Sequence, residues 1–177
     1  MTAARALTRA VLALGSNLGE RQGTLSAAVG DLVDRPEVRL VDVSPVVSTK
    51  PVGGPEGQPD FLNMVIAVDT TLEPLELLAH CHAVESAHHR ERTVRWGART
   101  LDIDIISYGD VHSRDPELTL PHPRAAERAF VLYPWALMDP GATLDGRSVA
   151  ELAAAAADMP GIGHAELEPL GGDGQPV

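Results

Sequence analysis

The stretch from Arg90 to Tyr108, R-E-R-T-V-R-W-G-A-R-T-L-D-I-D-I-I-S-Y, decides how this chain is read. Its second half, Leu101 to Tyr108, is the clearest strand in the sequence, and Gly109-Asp110 closes it as a turn pair. Residues two apart in a strand share a face, so Asp102 and Asp104 point one way while Leu101, Ile103 and Ile105 point the other. Aspartate is disfavoured in strands, and two carboxylates about 7 Å apart repel each other unless a cation lies between or beside them. A bare D-x-D is more often two polar residues on a solvated sheet face. Here Arg90, Arg92, Arg95 and Arg99 stand directly before it, and a solvated face needs no such company. Lys50 is the chain's single lysine, so 13 of its 14 basic residues are arginine, the side chain whose planar fork matches phosphate oxygens. Arginines beside paired aspartates point to a polyphosphate held with Mg²⁺, a hard cation that takes carboxylate and phosphate oxygens.

Working outward, Ala10 to Leu14 reads as a buried strand ending at Gly15. Leu25, Ala28, Val29, Leu32 and Val33 follow at helical spacing, with Pro36 beyond the end. Val38 to Val43 is a second strand, which Ser44 to Thr49 either continues or pairs with. The segment K-P-V-G-G-P-E-G-Q-P-D from Lys50 to Asp60 is a long loop. Leu62 to Thr70 reads as a strand, and Pro74 opens a helix running to about His89. With Leu101 to Tyr108 the order becomes β-α-β-β-α-β. The fold class expected is α+β, a ferredoxin-like core with a mainly antiparallel sheet, helices packed on one face, and extra C-terminal elements. Those extras are a Pro-rich loop around Pro121-His122-Pro123, a short helical segment, and an Ala-rich helix near Arg147 to Asp158.

A length of 177 residues suits one domain, expected over 10–168, with a flexible leader over 1–9 and a disordered tail over 169–177. Formal charge is −11, so the surface as a whole repels nucleic acid and anionic membranes, and an anion must bind at a local patch. Neither nucleic acid nor membrane is an expected partner. The one cysteine, Cys81, excludes an internal disulfide and reads as a packed helix residue in a cytoplasmic protein. Ala10 to Leu14 is too short for a signal peptide's apolar core.

Two further features suggest the ligand. The chain has only two phenylalanines, Phe61 and Phe130, each beside a loop, and Phe61 lies near Asn63, whose amide both donates and accepts. Two ring faces and an amide suit a planar heterocycle, although composition alone favours two ordinary core residues. Trp96-Gly97 adds a flat ring on a flexible backbone to the arginine run, consistent with a loop that closes over a ligand. His122, Arg124 and Arg128 form a second basic set after the sheet.

The segments A-L-G-S-N-L-G, G-Q-P-D-F-L-N, R-E-R-T-V-R-W-G-A-R-T-L-D-I-D-I and L-P-H-P-R-A-A-E-R-A-F, in that order over roughly residues 10–140, resemble the 6-hydroxymethyl-7,8-dihydropterin pyrophosphokinases of folate biosynthesis. The resemblance implies transfer of a pyrophosphoryl group from ATP to the pterin hydroxymethyl group, with release of AMP. Asp102 and Asp104 look like ligands of two Mg²⁺ ions. Arg90 and Arg92 look like arginines of a mobile catalytic loop, with Trp96 its closing aromatic. Arg99, His122 and Arg128 resemble ATP-phosphate contacts, and Glu85 a position near the nucleotide. Phe61 and Phe130 look like the pair stacked around the pterin, with Asn63 on its edge and Thr49, Val52 and Gly53 supplying backbone contacts. ATP and the pterin are the partners implied, and a monomer is expected. His89, Ala98 and Lys50 stand where the family often has Gly, Pro and Pro, which bears on loop conformation and not on the reacting groups.

Other readings fare worse. A D-x-D glycosyltransferase would carry G-x-G-x-x-G after its first strand, and a P-loop kinase G-x-x-x-x-G-K-[ST]; both are absent. A non-catalytic ferredoxin-like RNA module would carry basic and aromatic residues on its sheet, where this chain places aspartates.

Overall fold

The computed structural model describes residues 5–16, 21–49, 61–90 and 101–164. Strand β1, Thr8–Ser16, is followed by helix α1, Arg21–Leu32, then by strands β2, Val38–Val43, β3, Val47–Thr49, and β4, Phe61–Thr70. Helix α2, Pro74–Arg90, leads to β5, Leu101–Tyr108. The sheet joins these strands antiparallel: β4 pairs β1 on one side and both β2 and β3 on the other, and β1 pairs β5. β1 and β2 thus flank β4, while β4 and β5 flank β1, which is the split βαβ arrangement expected of a ferredoxin-like core. Ser44 explains why the segment after β2 pairs as a separate strand. Its N–H donates to the carbonyl of Val65, its hydroxyl accepts from Val65 N–H, and that hydroxyl donates to Pro45 O, each at 2.8 Å.

The sheet is covered on both faces. Leu12, Leu14, Met64, Ile66, Leu101, Ile103 and Ile105 meet α1 and α2 in one core. Nε2 of His80 donates to Leu32 O at 2.8 Å, and Nε2 of His88 meets Asp31 at 2.9 Å, tying the end of α1 to α2. Val11, Ala13, Val65 and Ile106 face a second core built by the C-terminal elements. A strand buried on both faces reads as an unbroken apolar run, which is what Ala10 to Leu14 is. Cys81 is buried in the first core, and burial pushes its thiol up to about 12, as an inert packed residue requires.

After β5 come the hairpin β6, Ser113–Asp115, with β7, Leu118–Leu120, and helix α3, Ala129–Met138, which lies across β4 and β3. The hairpin of β8, Thr143–Leu144, and β9, Arg147–Ser148, precedes helix α4, Val149–Ala155. The Ser148 hydroxyl caps α4 by accepting from Glu151 N–H at 3.2 Å. α4 is shorter than the helix expected over Arg147 to Asp158, because Ala156 turns extended. The chain then runs to β10, Ile162–His164, which pairs antiparallel with β3. The helices of the βαββαβ core share one face as expected, and the extra elements take the opposite face. The first strand starts earlier than Ala10, at Thr8. Arg9 bonds Asp69 at 2.7 Å across the β1–β4 pair, and Arg39 of β2 reaches the same carboxylate at 3.1 Å. No helix among the described residues is long and apolar enough to cross a membrane.

The hydrogen bond from Arg9, with further help from Arg39, holds the Asp69 carboxyl below its ordinary range. Its contribution to stability is therefore complete above the unfolded carboxylate value of about 4 and is lost as pH falls through the depressed folded value. Urea denaturation of Asp69→Asn is expected to show a deficit of roughly 0.5–1 kcal/mol at pH 7. The deficit should shrink as pH falls below the unfolded carboxylate value of about 4 and through the depressed folded value.

Candidate active site

The sheet register sets the floor of the site. Gly15 of β1 lies opposite Asn63 of β4 on one side and Asp102 of β5 on the other; one step along, Ala13 lies between Val65 and Asp104. Two small residues in the central strand thus leave a trough with an amide on one bank and two carboxylates on the other. The trough opens into a cleft of about 550 Å³, also lined by Thr49, Phe61, Arg128, Phe130, Asp158 and Gly161. Asn63 lies low because position 15 has no side chain. A Cβ there would sit 2.7 Å from the Asn63 Oδ1, closer than van der Waals contact allows. Nδ2 of Asn63 donates to the Thr49 hydroxyl at 2.8 Å, which fixes the amide across the β3–β4 pair.

On the other bank, Asp102 is exposed and Asp104 half-buried, on the face opposite Leu101, Ile103 and Ile105. β5 is an edge strand on this side, and Glu85 of α2 accepts the hydrogen bond of Ile103 N–H at 2.9 Å. Burial raises the Glu85 carboxyl, the Ile103 N–H opposes this, and the charges of Asp102 and Asp104 raise it further. Glu85 thus braces the backbone between the two aspartates. Among the described residues no third His, Cys, Asp or Glu joins them in a metal-holding group. A pair of carboxylates completed by oxygens of a bound phosphate suits Mg²⁺, which binds through one or two carboxylates plus substrate.

Beyond the aspartates, His122 N–H donates to Ile106 O at 2.8 Å, docking the Pro-rich loop on β5. The Nδ1 of His122 accepts from Arg124 N–H at 3.2 Å. Burial lowers the His122 pKa, Arg128 and Arg124 push it the same way, and Asp104 opposes them. The Arg128 guanidinium stands 5.5 Å from the centroid of the Phe130 ring, a cation–π distance. Phe61 and Phe130 are half-buried, both lining the cleft and neither sealed in the core.

The structure therefore brings Thr49, Phe61, Asn63, Asp102, Asp104, Arg128 and Phe130 to one cleft, with Glu85 behind it and His122 on the neighbouring loop. Arg90 ends α2, and its side chain lies outside the described residues, as do Val52, Gly53, Arg92, Arg95, Trp96 and Arg99. The sequence carries no signal for Asp158 or Gly161, which arrive from the C-terminal segment. In the sequence Gly15 reads only as the end of the first strand, and nothing there marks Ala13 and Gly15 as the floor of a site.

A family model described as 7,8-dihydro-6-hydroxymethylpterin-pyrophosphokinase matches residues 11–140. The chain belongs to this family. A 2-amino-4-hydroxy-6-hydroxymethyldihydropteridine pyrophosphokinase of Pseudomonas aeruginosa is 46% identical over 150 residues, covering 84% of this chain and 92% of the relative. The protein of the same description from Methylorubrum extorquens is 42% identical over 160 residues, covering 90% of this chain and 100% of the relative. Among solved structures, Plasmodium falciparum HPPK-DHPS with pteroate superposes at a TM-score of 0.65 and 14% identity, over 86% of this chain and 44% of that one. At that identity the likeness shows the pyrophosphokinase fold alone, and this chain spans less than half the length of its structural relative. The matched family span ends before α4 and β10.

In this family member, Gly15→Ala tests the floor. Its methyl group would push Asn63 off the trough and toward Thr49. Thermal unfolding should show a loss of about 1–3 kcal/mol, and the affinity for a pterin measured by calorimetry should fall with it. Unchanged pterin affinity would show that Asn63 does not face the ligand.

Proposed function

We propose that the cleft transfers the pyrophosphoryl group of ATP to the hydroxymethyl group of 6-hydroxymethyl-7,8-dihydropterin, giving the pterin diphosphate and AMP, as a step of folate biosynthesis. The observation that carries this is the union of two kinds of subsite in one cleft: paired carboxylates at one end, and two half-buried phenylalanines with a fixed amide at the other. The first kind handles phosphate through a cation. The second suits a flat heterocycle.

The pterin slips between Phe61 and Phe130, and Asn63 reads its edge. One amide hydrogen of Asn63 is committed to Thr49, so the other hydrogen and Oδ1 meet the ligand. Thr49, Val52 and Gly53 border the same ring. The ATP phosphates lie toward Asp102, Asp104, His122 and Arg128, with Arg90, at the end of α2, and Arg92, Trp96 and Arg99 as their further contacts. Asp102 and Asp104 would hold Mg²⁺, two ions on this reading, and the metal when bound would neutralise phosphate charge and make the attacking hydroxyl more acidic. Glu85 keeps the strand that bears the aspartates in place. Attack in line at the β-phosphorus needs alignment and charge compensation more than a covalent partner, and these side chains provide both. The chain acts as a monomer in the cytoplasm.

Incubation with ATP, Mg²⁺ and hydroxymethyldihydropterin should form AMP only when the pterin is present; pterin-independent ATP hydrolysis would count against this reading. Asp102→Ala and Asp104→Ala are each expected to cut turnover by on the order of 10²–10³-fold or more. Substantial turnover by Asp104→Ala at saturating Mg²⁺ would overturn the two-ion arrangement. Arg90→Ala should leave ATP affinity within about twofold of the parent while slowing single-turnover transfer, the signature of a contact made in the transition state.

A further inference from the structure

We propose that the segment Ala156 to His164, outside the matched family span, is a wall of the pterin end of the cleft, and that Asp158 is its positioning residue. The inference rests on the pyrophosphokinase reading above.

Three observations converge on it. Both carboxylate oxygens of Asp158 accept from the backbone N–H of Ala129, at 2.9 and 3.1 Å. Ala129 lies between Arg128 and Phe130, and it is the first residue of α3, where an amide has no partner within the helix. The cap residue there, Arg128, supplies no side-chain acceptor of its own, so a carboxylate from 29 positions away takes that role. Asp158 and Gly161 both line the cleft. A few residues on, Ile162 pairs with Thr49, whose hydroxyl accepts from Asn63. One short segment therefore touches the backbone that carries Phe130 and the strand that orients Asn63.

The bond from Asp158 fixes where α3 begins, and with it the direction in which Arg128 and Phe130 leave the backbone. Their mutual placement, guanidinium over ring, depends on that start. Loosening the Ala129 amide lets the Phe130 side of the slot relax before a ligand arrives. The ligand then bears the cost of ordering it. The effect falls on binding and leaves the reacting groups untouched, because Asp102 and Asp104 stand on the opposite bank of the trough.

The test compares Asp158→Ala and Asp158→Asn in the full chain by steady-state kinetics with each substrate varied, at a temperature well below both midpoints of unfolding. Asp158→Ala should raise KM for the pterin about three- to tenfold, the scale of a lost cap, with kcat within about twofold of the parent. Asp158→Asn keeps an acceptor for Ala129 N–H and the same volume, and should hold KM within about twofold. A merely structural role would lower the unfolding midpoint without moving the pterin KM. An unchanged pterin KM in Asp158→Ala overturns the inference, as does an equal rise in both variants, which would assign the effect to the charge itself. If the alanine variant does not fold, the isosteric variant decides: a rise of more than about twofold in its pterin KM overturns the role of the amide bond. Absence of pterin-dependent AMP formation by the parent would instead count against the reading of the reaction, a separate failure.

Discussion

Everything at the site depends on the pairing of β1 with β4 and β5. The period of a strand is two, so a slip of one residue between β1 and β5 would turn Asp102 and Asp104 toward α1 and α2 and push Leu101, Ile103 and Ile105 out. Each of those aliphatic side chains is worth about 1.5–3 kcal/mol when buried, and all three are buried in the core beneath the helices. The position of the carboxylates is thus set by hydrophobic burial on the reverse of the strand. The same register puts Gly15, the residue that leaves room for Asn63, directly between the amide and the first aspartate.

Charge explains why so acidic a chain can handle phosphates. The formal charge of −11 is spread over the molecule, while the cleft gathers Arg128 beside Phe130 and sets Arg124 near His122. A polyphosphate approaching Asp102 and Asp104 alone would be repelled; a divalent cation reverses that sign locally. Glu85 contributes through geometry. It satisfies the one edge amide between the aspartates, where an unmet N–H would draw water or let the strand fray.

Much of this was legible in the residues because the relevant patterns are local. L-D-I-D-I shows its two faces by alternation, and A-V-L-A-L shows burial on both faces by lacking it. The second cover of the sheet left no such mark. α3, A-F-V-L-Y-P-W-A-L-M, is apolar nearly all round and contains Pro134, so no stripe announces which face it presents. β10 is three residues, I-G-H, too short for a period. Composition alone favoured the core for Phe61 and Phe130, and only the fold shows that both are half-buried at the cleft. The bond from Asp158 to Ala129 joins residues with no pattern in common, and long-range caps of this kind cannot be read from spacing.

The cleft's two banks differ in how firmly the fold holds them. Asp102 and Asp104 stand on an eight-residue strand packed beneath by Leu101, Ile103 and Ile105, anchored on the other face by Ile106, and braced from α2. Across the trough Asn63 stands on the ten-residue β4, but its partner Thr49 and the Phe130 side of the cleft lean on β3 and β10, each three residues long, and on one carboxylate–amide contact. Short strands with few buried apolar contacts open at lower free energy than the sheet centre. A metal site tolerates little displacement, since its ligands must hold their geometry. A planar ring inserted between two phenylalanines supplies part of its own packing. On the proposed function, the rigid bank falls where coordination would demand it, and the yielding bank where a flat ligand could complete the wall.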